Sequence, residues 1–146
     1  MPELPEVEIQ RRLLEKTTRG ATLTSLTRQD RARFEGDPAR LEGRRVTSWE
    51  RQGKYLIARF GDVAMLSHLG MTGQWIVDAA PDRKHPRVTL RFDNHRTLTL
   101  IDPRRFGWTW IMTTEDLPAH PRLAKLGLDP LSPQLSADRL REAVGA

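Results

Sequence analysis

Short apolar runs separated by turn residues fill the chain between Ala21 and Met112 and restrict its fold more than any other feature. These runs are rich in Val, Ile, Leu, Thr and Trp, which favour extended backbone, and turns containing Gly, Asp or Asn separate them. Many short strands in one domain predict a mainly β fold, an antiparallel two-layer sandwich or a barrel. The predicted strands are Ala21–Thr27, Arg45–Arg51, Tyr55–Phe60, Val63–His68, Gln74–Val77, Arg87–Phe92, Thr97–Ile101 and Trp108–Met112.

Helices are predicted on either side of this β region and once within it. Pro5–Lys16 has apolar residues at helical spacing and is expected to pack on the sheets. A short helix is predicted at Asp37–Leu41, inside a long connection, and another at Arg122–Leu126. Ser136 is the predicted N-cap of a further helix near the end of the chain.

Composition limits the remaining possibilities. The 146 residues are enough for one hydrophobic core, and no membrane span is expected. A net charge of +5 favours a polyanionic partner, of which nucleic acid is the simplest, although many proteins carry a basic surface that binds nothing. The absence of cysteine excludes disulfides and thiolate metal sites in this chain. No secretory signal is recognisable, which predicts a cytoplasmic protein.

The N-terminal sequence suggests amine chemistry. Removal of Met1 would expose the secondary amine of Pro2, and a terminal amine titrates closer to neutrality than a lysine. Such an amine can attack C1′ of a sugar to form an iminium ion, and the neighbouring Glu3 could move protons on the sugar oxygen. The alternative is structural, because prolines at Pro2 and Pro5 suit the start of a helix and Glu6 favours its positive end.

The hexapeptide Asp102–Gly107 reads Asp-Pro-Arg-Arg-Phe-Gly and follows a predicted strand. Its proline ends the strand and its glycine permits a tight turn, so Arg104, Arg105 and Phe106 are predicted on a constrained loop. Arginine can contact a phosphate or a base edge, and phenylalanine can wedge between bases. In the alternative interpretation this is an ordinary turn, with Asp102 paired to an arginine and Phe106 in the core.

Several motifs together resemble the bacterial formamidopyrimidine-DNA glycosylase family. They are Met1–Glu8, Gln52–Leu56, His68–Gly73, Lys84–His85 and Asp102–Gly107, in the order and approximate spacing of that family. The resemblance runs to about Ser132, because Leu126–Ser132 is similar to the family's exit from its N-terminal domain. The N-terminal motif and the Asp102–Gly107 motif resemble the formamidopyrimidine branch of the family rather than the endonuclease VIII branch.

The resemblance implies an N-terminal catalytic β-sandwich domain at residues 1–132. Residues 133–146 would begin the connection and first helix toward a helix-two-turn-helix domain that this chain lacks. The implied activity is excision of oxidised purines, such as 8-oxoguanine and formamidopyrimidines, followed by β/δ-elimination at the abasic site. A chain without the second domain is expected to be weak or inactive, and a retained Met1 would make Pro2 an unreactive amide.

The resemblance also implies roles for individual residues. Pro2 would attack C1′ and Glu3 would be the general acid and base, with Glu6 a weaker candidate for support. Lys54 would contact phosphate near the reaction centre, or else is a solvated strand residue. The gap left by the flipped nucleotide would be filled by Met71, Arg104 and Phe106. His68, His85 and Arg105 are expected to contact phosphate or scaffold.

Two of these residues have structural alternatives, since Met71 could be ordinary core and His68 a structural histidine. The implied partner is double-stranded DNA containing oxidised purines or abasic sites, bound by a monomer away from membranes. No cofactor is expected in this chain, because the family's zinc lies in a C-terminal finger. The rival function is a non-catalytic DNA-binding module with the same fold, and a generic β-sandwich interaction domain is a third.

Overall fold

The computed structural model describes residues 4–29, 32–104 and 107–126, which form two β-sheets with an N-terminal helix packed against them. Helix α1 (Leu4–Thr18) is followed by strands β1 (Leu23–Arg28), β2 (Phe34–Glu35), β3 (Ser48–Gln52), β4 (Tyr55–Phe60), β5 (Val63–His68), β6 (Gln74–Val77), β7 (Pro86–Phe92), β8 (Thr97–Ile101) and β9 (Trp108–Thr113), and by helix α2 (Pro121–Leu126). Short 3₁₀ helices occupy Pro38–Arg40 and Thr114–Ala119. No helix in these ranges has the length and apolar character needed to span a membrane.

The two sheets confirm the predicted sandwich. One has the strand order β1-β7-β8-β6 and the other the order β2-β9-β5-β4-β3. Neighbouring strands are antiparallel, except that β2 runs parallel to β9. Helix α1, helix α2 and most predicted strands agree with their predicted bounds to within about two residues.

The sequence prediction was wrong at two places in the five-stranded sheet. Strand β2 was not predicted, because two residues are too short to show a period and their pairing with β9 is decided by the fold. The strand predicted from Arg45 begins only at Ser48, since Arg45 forms an isolated bridge with Thr22 instead of joining the ladder. The predicted helix at Ser136 and the domain boundary near residue 132 lie outside the described residues.

The five-stranded sheet is buried on both faces. Its inner face contributes Leu56 and Met65 to a core shared with the four-stranded sheet. Its outer face, including Ile57 and Leu66, is covered by Leu117 and other residues that follow β9. Strand β5 is therefore buried at every position before His68, and the apolar run Val63–Leu66 lacks the alternation of a half-exposed strand.

Helix α1 bridges the edge strands of both sheets through its polar side chains. Gln10 Oε1 accepts a hydrogen bond of 3.0 Å from the backbone N–H of Trp75, on edge strand β6. On edge strand β3, Glu15 Oε1 accepts from the N–H of Trp49 at 3.2 Å, and Arg11 Nη1 donates to the Trp49 carbonyl at 3.1 Å. These side chains satisfy backbone groups that the sheets themselves leave unpaired.

A charge cluster fixes the first half of the helix to β3. The Glu8 carboxylate accepts hydrogen bonds from Arg11, Arg12 and Arg51 at 2.9 to 3.2 Å. Burial alone would raise the pKa of Glu8, but the hydrogen bonds and charges of these arginines outweigh burial and lower that pKa to about 2. The carboxylate is therefore ionised over the whole physiological range.

Glu8 should give the fold a measurable acid dependence. Its pKa is about 2 in the folded chain against a reference value of 4.5, so its contribution is present above about pH 4.5 and disappears as the pH falls through about 2. In urea unfolding, Glu8→Gln should lower the free energy of unfolding at pH 7 by about 1 to 2 kcal/mol, a value reduced for solvent screening, and by less at pH 3.

Glu115→Gln is the matched control, because Glu115 is exposed and its substitution should change stability little at either pH. An equal loss of stability at pH 7 and pH 3 for Glu8→Gln would mean that the side chain acts through packing and not through its charge.

Candidate nucleic-acid interface

Three connections that carry predicted site residues meet at one end of the sandwich. Tyr55 at the start of β4 lies opposite His68 at the end of β5, and His68 lies opposite Trp108 at the start of β9. This end of the sandwich, called the loop edge below, therefore carries the β3–β4 turn with Lys54, the β5–β6 loop with Met71 and the β8–β9 loop. His68 and Trp108, which lie far apart in sequence, are thus direct neighbours in space.

Asp102 connects the β5–β6 loop to the β8–β9 loop. The residue is 2% exposed, and its carboxylate accepts hydrogen bonds of 2.8 Å from the hydroxyl of Thr72 and the backbone N–H of Gly107. Its own N–H donates to the carbonyl of His85 at 3.1 Å, and its carbonyl accepts from Arg87 Nε at 2.8 Å. One buried residue therefore holds the β5–β6 loop, the start of β7 and both ends of its own loop.

Gly107 is required by a close backbone approach. A Cβ atom at this position would lie 2.7 Å from the carbonyl oxygen of His68 and 3.0 Å from the carboxylate of Asp102. Any side chain would push the β8–β9 loop away from the end of β5. The glycine that sequence analysis assigned to turn formation thus also permits the contact between two loops.

We expect Gly107→Ala to destabilise the fold by about 2 to 3 kcal/mol in chemical denaturation, because backbone atoms must move to admit the methyl group. Gly61→Ala is the comparison, since that position has a positive φ of 80° but open space around the added Cβ. It should cost only about 1 kcal/mol of backbone strain. Equal losses for the two variants would contradict the close approach at Gly107.

His68 lies beside Lys54 at this edge. Its ring contacts Tyr55 with a centroid distance of 4.7 Å, and its Nδ1 accepts a hydrogen bond from the N–H of Gly70 at 3.3 Å. Burial lowers the pKa of His68, and the positive charges of Arg122 and Lys54 lower that pKa further. The ring is therefore neutral at pH 7 and carries its proton on Nε2, where it can donate to a ligand.

A buried arginine links the Lys54 turn to helix α1. Arg51 is 3% exposed, and it donates from Nη1 to the carbonyl of Gly53 at 3.0 Å and from Nε to Glu8 at 3.2 Å. Gly53, which immediately precedes Lys54, has a positive φ of 59°. The position of Lys54 is thus set by an ion pair with the second turn of the helix that begins just after Pro2 and Glu3.

The structure places six of the predicted site residues. Lys54 and His68 lie together at the loop edge, and Met71 and Arg104 are exposed on loops joined through Asp102. Met71 is 46% exposed, so its alternative assignment to the core is wrong. Glu6 is exposed in the first turn of α1. The backbone carbonyl of His85 accepts the hydrogen bond from the N–H of Asp102. The roles assigned to these six side chains stay predictions.

Four further site residues, Pro2, Glu3, Arg105 and Phe106, lie outside the described ranges, and so does the alternative in which Phe106 enters the core. Their roles also stay predictions. The chain has no cysteine, and the described ranges contain no group of three or more His, Asp or Glu side chains that could hold a metal ion.

Sequence analysis missed the residues that position the loops. Thr72 lies between a methionine and a glycine and carries no chemical signal of its own. Arg51 is one of many arginines, and nothing in its neighbours indicates that it is buried and bound to Glu8. Thr72 and Arg51 could have been identified only by knowing which residues, distant in sequence, they contact in the fold.

Comparisons with known proteins agree with this geometry. The model of the family described as "Formamidopyrimidine-DNA glycosylase N-terminal domain" matches residues 1–109. The formamidopyrimidine-DNA glycosylase of Thiobacillus denitrificans is 43% identical over 143 residues, covering 94% of this chain and 52% of the relative. That of Klebsiella pneumoniae is 41% identical over 148 residues, covering 97% of this chain and 54% of the relative. The chain thus spans about half the length of these curated relatives.

Solved structures are similar over the same region. The crystal structure of the MutM (Fpg) protein from Thermus thermophilus has a TM-score of 0.78 and 41% identity, covering 90% of this chain and 48% of that one. The Lactococcus lactis Fpg in complex with DNA containing an abasic site has a TM-score of 0.76 and 34% identity, covering 85% of this chain and 48% of that one.

Proposed function

The chain belongs to the formamidopyrimidine-DNA glycosylase family, and on this basis we propose that it binds duplex DNA and processes oxidised purines and abasic sites in it. The observation that carries the proposal is the shared loop edge, where Lys54, His68, Met71 and Arg104 are brought together within the matched residues 1–109. The Lactococcus lactis relative bound to abasic-site DNA supports the same assignment.

The proposed reaction begins at Pro2 after removal of Met1. The proline nitrogen forms a bond to C1′ of the damaged nucleotide while the glycosidic bond breaks, and the electron pair of that bond leaves with the base. The nitrogen then loses its proton, and the departing base takes up a proton, so that the charges balance. Opening of the C1′–O4′ bond, with protonation of O4′ by Glu3, converts the adduct into an iminium ion.

The iminium ion makes strand cleavage possible because it acidifies the C2′ proton. Loss of that proton expels the 3′ phosphate by β-elimination, and loss of the C4′ proton then expels the 5′ phosphate by δ-elimination. Hydrolysis of the remaining iminium bond regenerates the proline amine. In this scheme Lys54 neutralises phosphate charge at the reacting nucleotide, and the neutral His68 ring donates its Nε2–H to a phosphate oxygen.

Borohydride trapping tests the nucleophile. The chain with a free Pro2, supplemented with the C-terminal half of a curated relative, should form a covalent adduct with DNA containing an abasic site, because borohydride reduces an iminium ion to a stable amine. The chain with Met1 retained should bind the same DNA without trapping, because amide resonance withdraws the lone pair. Adducts are measured by denaturing gel electrophoresis, and acetylation of the free terminus should abolish them.

Two outcomes would overturn this mechanism. Equal trapping by free and blocked termini would move the nucleophile to another amine, with Lys54 the first to test. Binding without trapping in either form would instead support the rival function, a non-catalytic DNA-binding module that keeps the family fold. In that case the fold and the basic loop edge would serve recognition alone.

DNA binding by the 146-residue chain should depend strongly on salt. Affinity for a short duplex is expected to fall at least about tenfold between about 50 and about 200 mM salt, because contacts between cationic side chains and phosphates release counterions. Lys54→Gln should reduce the slope of log affinity against log salt by about one. Fluorescence anisotropy across a salt series measures both quantities.

Arg96→Gln provides the charge-matched control, because Arg96 is paired with Asp78 near the β7–β8 turn, at the other end of the sandwich. It removes the same charge as Lys54→Gln but should leave the slope unchanged. Tight binding that did not respond to salt, or equal slopes for the two variants, would contradict an interface at the Lys54 edge.

A further inference from the structure

Asp102 occupies a position where two loops with separate predicted contacts to DNA meet. Met71 is exposed on the β5–β6 loop, and Arg104 is exposed on the β8–β9 loop. Asp102 precedes Arg104 by two residues, while its hydrogen-bond partner Thr72 directly follows Met71. The contact between a threonine and a buried carboxylate is therefore the bridge between the two loops.

We propose that Asp102 and Thr72 are positioning residues that hold Met71 and Arg104 in one rigid unit for contact with DNA. This inference rests on the proposed function, since it assumes that both loops face the duplex. Neither Asp102 nor Thr72 need touch the nucleic acid. Their role is to fix the distance between two side chains that do.

The hydrogen bonds of Asp102 explain why the unit is rigid. Each carboxylate oxygen accepts one hydrogen bond of 2.8 Å, from Thr72 on one side and from Gly107 on the other. The backbone N–H and carbonyl of Asp102 are also bonded, to His85 and Arg87. A buried residue held by two side-chain and two backbone hydrogen bonds resists movement, because any shift leaves a polar group without a partner.

The β5–β6 loop transmits this restraint to Met71. The N–H of Gly73 donates to the carbonyl of Leu69 at 2.9 Å, and a Cβ on Gly73 would lie 2.4 Å from the same oxygen. The loop is therefore closed tightly at its base, so Thr72 cannot shift without moving its neighbour Met71. Fixing both loops before DNA arrives reduces the conformational entropy that binding must otherwise remove.

A double-mutant cycle across the two loops tests the proposal. In the parent chain, Arg104→Ala should weaken binding to a duplex with an abasic site about tenfold. In the Thr72→Val background the same change should cost less than about threefold, because the Arg104 loop is no longer held in place. Thr72→Ser keeps the hydroxyl and should retain the full tenfold effect.

Thr114→Val is the matched control background. The Thr114 hydroxyl donates to the carbonyl of Gly61 beside the β4–β5 turn, at the opposite end of β5 from His68, so its loss should destabilise the fold without affecting the loops. Arg104→Ala should cost about tenfold there as well. The same cost in the parent, Thr72→Val and Thr114→Val backgrounds would overturn the proposal.

Hydrogen exchange separates failure of this proposal from failure of the proposed function. If the parent chain does not bind DNA, the proposed function is wrong, but the Gly107 amide still reports on the bridge. Its exchange should be about tenfold faster in Thr72→Val than in Thr72→Ser or Thr114→Val, because the Asp102 carboxylate loses the bond that orients it toward Gly107. Equal Gly107 exchange in all three variants would refute the bridge whatever the chain binds.

Discussion

The architecture depends on hydrogen bonds between helix α1 and the edge strands of two different sheets. Gln10 accepts from Trp75 on β6, while Arg11 and Glu15 pair with the backbone of Trp49 on β3. Edge strands need partners for their backbone groups, and here one helix supplies those partners for both sheets. The same contacts fix the direction of the helix. They thereby determine which end of the sandwich the first turn of the helix faces.

The basic composition serves two physical purposes. Arg51 and Arg87 are buried, and they donate to the backbone carbonyls of Gly53 and Asp102. These guanidiniums stabilise the turns beneath the loop edge and are not available as a surface for a polyanion. Other cations, such as Arg104, are exposed to solvent. The net charge of +5 cannot distinguish the two purposes, because a charge count carries no information about burial.

Much of the fold could be predicted because its strands are long enough to show their character. Tyr55–Phe60 and Val63–His68 agree with the predicted bounds, since each is an apolar run ended by a turn. Strand β2 could not be predicted in this way, because two residues have no period and only the parallel pairing with β9 makes them a strand. At the site, the role of Met71 could not be predicted from the sequence either. Its apolar side chain suits a hydrophobic core or the gap left by a flipped nucleotide equally, and only its exposure in the structure excludes the core.

The sequence by itself determined the family, the mainly β class and the residue types available for chemistry, because these depend on local pattern and on motifs in a given order. The tertiary structure decided which of those motifs become neighbours. Asp102 is an ordinary residue before a proline in the sequence, yet in the fold it joins the loops of Thr72 and Gly107. Strand register decides which residues far apart in the chain come close together in space. Hydrogen bonds form only between atoms at such short distances, so the role of Asp102 depends on the register.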